Sequence, residues 1–543
     1  MNVVPEALRS GSTLAVDYRE GAERASVLYT YNYRNQSSYA ERVKWLDQSE
    51  DTRLDRRAVA RCLRLYNGKH NSHEAVHKAL DQLEQPETLV VTGGQQSGLF
   101  TGPLLVIYKA ATIIKAAREA QAELNRPVVP VFWIAGEDHD WDEVNHTYVL
   151  SSNLDLKKIK LEQQTQIRSS VSQIELASDA WDGVLQELEQ LLPDSEYKQD
   201  TLLTIQNILS QSASLSDAFA KMLASMFGKY GLILLDSADP ELRALEKSVF
   251  KRMIENNDLL ERTYLDTAKR ITDMGYELQA EAAEGAANLF YIHEGERRLL
   301  FKAEEQFVDR RGFVAFSKEA LITELESHPE RFSNNVLTRP LMQDSILPVL
   351  GVVLGQGEIA YWAMTRDAFE VFGLQMPVLI PRLSYTLIDP AVHKHMDRHE
   401  LSFQDVLHRF DARKEAWLDS LDQLGLDGRF NEVMEQFKAL YTPLVEQLEQ
   451  IEKGLVKLGE TNQSRILEEL QFMQQRSREA LARRNETGLK QWERVIQSLY
   501  PLGRPQERVY NIYQVVNRFG WTWLDELMEQ PADFKQEHYT IYL

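Results

Sequence analysis

The sequence predicts an α/β fold built on a parallel sheet, with inserted segments and a helical domain towards the C-terminus. Three observations predict it. Leu89-Val90-Val91-Thr92 runs into a glycine-rich stretch, an apolar segment over 104–117 and a second β-type run over 127–134. Strand, helix, strand over this length is a βαβ unit, which requires parallel pairing and a right-handed crossover. Short apolar runs follow at 231–235, 349–354 and 378–380, each ending in a polar cluster. Later, Phe437, Leu440, Leu444, Leu448, Ile451, Leu455 and Leu458 recur every three or four positions among Glu, Gln and Lys, the spacing of a coiled-coil seam.

Composition narrows the function. The chain has 543 residues, enough for several domains or one core with large insertions. Its net charge of −21 disfavours a nucleic-acid partner, which needs a basic face. No apolar run is long enough to span a bilayer, and Met1-Asn2-Val3-Val4-Pro5-Glu6 lacks a charged-then-apolar signal segment, so a cytoplasmic protein with no membrane partner is expected. The single cysteine, Cys62, excludes an intramolecular disulfide and any cysteine metal cluster. Its surroundings read as a helix, so it is expected to be inert.

Taken in order, residues 1–88 show helical spacing around 42–46 and 59–66, with Asn67-Gly68 as a stop, and are expected to pack on the core. The core region spans 89–390. Its first helix is apolar nearly all round and therefore buried, with Lys109 and Lys115 snorkelling to solvent. Pro130 removes a ladder donor from the second strand and fits only at a sheet edge or strand start. Segments of about 147–227 and 261–335, the latter holding a hairpin near 288–301, break the α/β rhythm as insertions that cap a crevice. Residues 391–500 form the helical domain, in which Pro443 interrupts the seam and the run 466–482 either returns antiparallel or serves a dimer. The aromatic-rich tail, 501–543, docks on the body, with Arg504 and Arg508 in reach of an anion.

Two clusters carry chemistry. In the first, Gly93, Gly94 and Gly98 allow a tight turn and close approach of a ligand, and Pro103 opens a helix whose N-terminal N–H groups suit phosphate or carboxylate. The pattern is neither a P-loop nor GxGxxG. In the second, Gly136-Glu137-Asp138-His139-Asp140-Trp141-Asp142-Glu143 packs carboxylates at a strand end, where a cation should compensate. His139 and Glu143, or Asp142 and His146, have metal-capable i, i+4 spacing if helical, but no dedicated metal site is expected. Asp138 and His139 are better cast as substrate-orienting or acid–base groups. In open α/β sheets ligands bind outside the carboxyl ends of the strands, so all five strand-end clusters are expected to converge on one crevice.

These residues resemble a family. The 92–103 block, Phe132 to Asp140, Pro329-Glu330-Arg331-Phe332-Ser333-Asn334-Asn335-Val336, Thr338 to Gln343, Gly357-Glu358-Ile359 and Tyr361-Trp362 are similar to those of the bacillithiol biosynthesis cysteine-adding enzymes, the BshC family. The similarity runs through nearly the whole chain, with one extra glycine at Gly93-Gly94. It implies a Rossmann-like core related to class I aminoacyl-tRNA synthetases, connecting-peptide insertions and a coiled-coil homodimer. It also implies a ligase that joins cysteine to glucosaminyl-malate through an amide.

On that basis ATP, with Mg²⁺, is expected across Gly93, Gly94, Gln96, Ser97, Gly98 and Gly102, activating the cysteine carboxyl as adenylate or acyl phosphate. Asp138 or His139 takes the amine proton, and Gln95 or Gln96 stabilises developing negative charge. Glu137, Arg339, Gln356, Glu358 and Arg382 are the expected substrate-binding residues, with Arg339 and Arg382 for the malate carboxylates. Two alternatives stay open: a synthetase-like adenylyl or nucleotidyl transferase for another acid, and a non-catalytic coiled-coil scaffold. Pyrophosphate exchange dependent on another acid marks the first; undiminished cellular bacillithiol without Asp138 and His139 marks the second.

Overall fold

The five apolar runs pair as one parallel sheet. In the computed structural model, which describes residues 1–8, 11–162 and 168–543, the strand order is Val378–Pro381, Val349–Leu354, Leu89–Gln95, Val128–Ile134, Ile233–Asp236. From the central strand the chain moves outward twice, then crosses to the other side. This is Rossmann-like topology, with its switch point between Leu89–Gln95 and Val349–Leu354. Among the described residues no helix is long and apolar enough to cross a membrane.

Alternation along the ladder explains Pro130. Ala135 N donates to Gln95 O and Ser237 N to Ile134 O, so odd-numbered N–H groups face the central strand and even-numbered positions face the edge strand. Pairing with that edge strand begins only at Val131, so Pro130 withholds a donor before the ladder starts. The edge itself is covered by Asn67, which donates to Leu234 O and accepts from Leu234 N. Asn67 and Gly68 therefore do not stop their helix, which continues through Arg56–His70.

Gly93 and Gly94 lie within the strand, not in a loop after it. A Cβ at Gly93 would stand 2.8 Å from Val353 O, and one at Gly94 would stand 2.9 Å from Trp133 O. The glycines serve strand-to-strand approach. Gly102, at φ 70°, and Gly98 make the turn into the helix Leu104–Leu124, which Pro103 precedes as its cap residue. That helix end is closed by protein: Leu104 N donates to Tyr510 O, while Asn511 Nδ2 donates to Phe100 O and Gly102 O.

The chain divides into two compact units, Met1–Thr386 with Glu507–Ile541, and Leu387–Gln506 with Tyr542–Leu543. The first contains the sheet, the N-terminal helices and both insertions. The earlier insertion includes 163–167, which lie outside the described residues. The later one forms a five-stranded antiparallel sheet around the hairpin Ala286–His293 and Glu296–Ala303. The chain returns to this unit at Glu507.

The second unit is helical, with a core of Val392, Met396, Val406, Trp492, Val495 and Leu499. The apolar seam is not one continuous helix. Leu426–Gln447 ends before a turn at 448–452, and Lys453–Arg484 returns antiparallel, with Tyr441 donating to Asn462 and Arg478 paired with Asp427.

One buried histidine makes the first unit acid-sensitive. His538 contacts the Ser384 and Thr386 hydroxyls through its two ring nitrogens, and burial lowers its pKa to about 4. The unfolded chain, with an ordinary histidine near ~6.5, binds the extra proton first. Stability is therefore full above pH ~6.5 and falls as pH drops towards 4, by about 3 kcal/mol. Urea titrations at pH 7 and pH 4.5 should show this loss, and His538→Gln should flatten it.

Candidate active site

A cavity of about 590 Å³ opens at the switch point. Its floor is Gly94, Gln95 and Gln96 from the central strand and Gly355, Gln356, Gly357 and Glu358 from its neighbour. Glu137, Asp138 and His139 come from the next strand end, and Arg382 from the far one. Phe290, Arg297, Leu299 and Asn334 reach in from the later insertion. Four of the five strand-end clusters thus meet here. The fifth does not: Asp236 accepts from Ser172, and Asp239 caps the helix Pro240–Glu255.

Lys109 ties the two floor strands together. Its ammonium donates to Gly94 O at 2.7 Å, Gln95 Oε1 at 3.1 Å and Glu358 Oε2 at 2.6 Å. The side chain is 1% exposed, so it does not snorkel. Burial lowers its pKa, while Lys109 and the Gly355 N–H hold the Glu358 carboxyl below its usual range against burial. Lys115 likewise stays inside, donating to Gln530 O.

Asp138 and His139 form the second node. Asp138 accepts from Gln96 Nε2 at 2.5 Å and from the His139 and Asp140 N–H groups. Burial opposes its ionisation, but these donors and Arg297 hold its pKa below the ordinary value. Arg297 Nη1 approaches His139 Nδ1 at 3.0 Å. A guanidinium can only donate, so Nδ1 accepts and the imidazole is neutral with its proton on Nε2. Burial, then Arg297, lowers the His139 pKa in agreement. His139 is therefore a hydrogen-bond donor, and Asp138 is the ionised member of the pair. The i, i+4 spacing has no helix to act on: only Trp141–Val144 is helical, His146 begins a strand, and Glu143 accepts from Gln96. Among the described residues no group of three His, Cys, Asp or Glu is placed to hold a metal ion.

The cation demanded by the acidic cluster is arginine. Arg243, fully buried, pairs with both Glu137 and Glu246, and burial pushes Glu246 up to about 7. Arg297 donates to Ser333 Oγ and Asn334 O and lies 3.7 Å over the Phe290 ring centre.

With this geometry in place, similarity to known proteins becomes informative. Residues 1–383 match the family model described as "Bacillithiol biosynthesis BshC, N-terminal Rossmann-like domain", and 385–543 match "Bacillithiol biosynthesis BshC, C-terminal coiled-coil domain". The chain belongs to the BshC family. A relative from Bacillus cereus (strain AH187), named "Putative cysteine ligase BshC", is 34% identical over 98% of both chains. One of the same name from Bacillus thuringiensis subsp. konkukian (strain 97-27) is 33% identical over the same shares. A solved Campylobacter jejuni structure described as a "putative arginyl t-RNA synthetase" aligns over 92% of this chain and all of that one, at 11% identity and a TM-score of 0.22, too low to carry an argument.

Within this BshC-family cavity the expected residues separate into two groups. Gly94, Gln95, Gln96, Glu137, Asp138, His139, Arg339, Gln356, Glu358, Arg382 and Arg508 line it. Gly93, Ser97, Gly98 and Gly102 do not; Ser97 is buried against the Ser216 hydroxyl. Arg382 is there but engaged, bidentate to Glu507 at 2.6 and 2.9 Å, so its fork is not available to a malate carboxylate. Arg339 donates to neutral partners, Tyr361 OH and Gln343 Oε1.

Three contributors were not singled out from the sequence. Lys109 looked like an interruption of an apolar helix, and Arg297 is one of two adjacent arginines in a hairpin. Asn334 is 1% exposed and lines the cavity with both side-chain polar atoms unpartnered among the described residues. Only the Arg297-Arg298 pair in an apolar hairpin gave a usable signal.

Proposed function

We propose that this chain joins cysteine to glucosaminyl-malate through an amide, using ATP to activate the cysteine carboxyl group. The observation that carries the reading is Asp138, a carboxylate held ionised by Gln96 and Arg297 beside the neutral, hydrogen-bond-donating His139. An attacking amine must lose a proton, and Asp138 is the group suited to receive it. Gln95, its Oε1 fixed by Lys109, turns its amide donor to developing negative charge.

The lining suits a polar, anionic ligand of nucleotide size, because the buried Asn334 has no side-chain partner among the described residues and Arg339 and Arg508 bring positive charge. In this reading Arg339 and Arg508 hold the phosphates, not the 93–98 stretch, and Mg²⁺ enters with the nucleotide. When bound, ATP would supply the phosphoryl or adenylyl group that makes the cysteine carboxyl reactive towards an amine. The cytoplasm is the compartment this implies, since the one thiol, Cys62, is buried and pushed up to about 12 and the cysteine substrate must stay reduced.

The test is incubation of the purified full chain with cysteine, glucosaminyl-malate and Mg-ATP, followed by mass spectrometry. Bacillithiol with matching AMP or ADP is expected. ATP turnover with another acid, or none with these substrates, overturns the reading.

We also propose that the helical hairpin mediates a homodimer. Leu440 is 79% exposed and Ile451 76%, with Leu444 and Leu458 also exposed, an apolar surface that a second copy would cover. Leu440→Glu with Leu444→Glu should convert a dimer to a monomer in sedimentation velocity, with an unchanged far-ultraviolet helix signal.

A further inference from the structure

A second cavity, of about 350 Å³, adjoins the first and shares His139, Phe290, Arg297 and Leu299 with it. Its walls carry five arginines and two carboxylates, in a chain whose net charge is −21. Both carboxylates are committed. Glu296 and Asp309 pair with Arg298, and Glu296 also reaches Arg311 at 3.7 Å. Among the described residues Arg297, at the boundary, donates to neutral acceptors. Arg310 lies 4.5 Å over the Phe301 ring centre, and neither it nor Arg168 has a carboxylate within 4.0 Å among the described residues.

Concentrating uncompensated guanidinium groups costs energy through like-charge repulsion unless an anion joins them. Guanidinium forks match carboxylates bidentately. The switch point, on the other side of His139 and Arg297, is where an open α/β sheet receives its nucleotide-like ligand. We propose that the arginine cavity is the subsite for the dicarboxylate end of the acceptor substrate, whose amine then extends past Arg297 and His139 to Asp138. This rests on the reaction proposed above and moves acceptor recognition away from Arg382, whose partner is Glu507.

The experiment is calorimetric titration of the full chain and its Arg168→Ala/Arg310→Ala variant with glucosaminyl-malate, malate and Mg-ATP. Both arginines are exposed, so the variant should keep the parent's thermal midpoint. The expected result is glucosaminyl-malate binding weakened about tenfold or more, with Mg-ATP affinity unchanged. Unchanged glucosaminyl-malate affinity overturns the proposal, as does a selective loss of Mg-ATP, which would make the cavity a phosphate site. If the parent binds malate but not glucosaminyl-malate, and the variant loses malate, the dicarboxylate subsite stands while the acceptor assignment fails. If the parent binds neither, the subsite is overturned.

Discussion

In the proposed reaction Asp138→Asn should lower the rate of bacillithiol formation by about 10²- to 10⁴-fold, the range expected on losing a positioned proton acceptor. Asn keeps the size of the side chain, and its one oxygen can still accept from the His139 and Asp140 N–H groups while the contact with Gln96 is lost, so the fold should persist. The loss should fall on kcat more than on KM, because a group that acts only as the amine loses its proton contributes little to ground-state binding. The direction of the Asp138 pKa adds a second readout. Since Gln96, Arg297 and two backbone N–H groups hold it below the ordinary carboxylate value, the acid limb of the kcat profile should lie below that range. Gln96→Leu removes one of those donors and should move the limb upward, towards neutral pH. His139→Gln should cost less than Asp138→Asn, since the imidazole is neutral and donates.

Arg243→Met destabilises the first unit by about 3–5 kcal/mol, the usual consequence of stranding buried charge. The effect is large because one guanidinium serves two carboxylates, Glu137 at 8% side-chain exposure and Glu246 at 0%. Burial already raises Glu246 to about 7 with Arg243 in place. Without the arginine, which opposes that rise, Glu246 ionises less readily still. The penalty should be greater at pH 8, where ionisation of Glu246 is forced, than at pH 6, where Glu246 carries a proton. Urea unfolding of the variant and its parent at the two pH values measures this. Equal penalties at both would show that lost packing against Phe250, not charge, is responsible.

Much of the scaffold was legible in the chain. Five short apolar runs ending in polar clusters specify a buried parallel sheet, because strands covered on both faces need apolar residues at every position. The hairpin near 288–301 was legible for the same local reason. The glycine-rich stretch misled: Gly93 and Gly94 suggested a ligand loop, and only the positions of Val353 O and Trp133 O show that they allow strands to approach. The leucine seam misled too. Spacing records which helix face is apolar but not where the helix stops, and the turn at 448–452 divides it between two antiparallel helices.

The sequence by itself determined the sheet, the family and most of the strand-end groups in the cavity, since these depend on local periodicity and contiguous motifs. Tertiary structure alone decided the electrostatics. Lys109 meets Glu358, Arg243 meets Glu137, Arg297 meets His139 and Arg382 meets Glu507 across 249, 106, 158 and 125 positions of chain. Which charge neutralises which, and so which carboxylate stays ionised and which arginine remains for substrate, depends on distances of a few ångströms in a medium of low polarity. No local pattern in the chain encodes those distances.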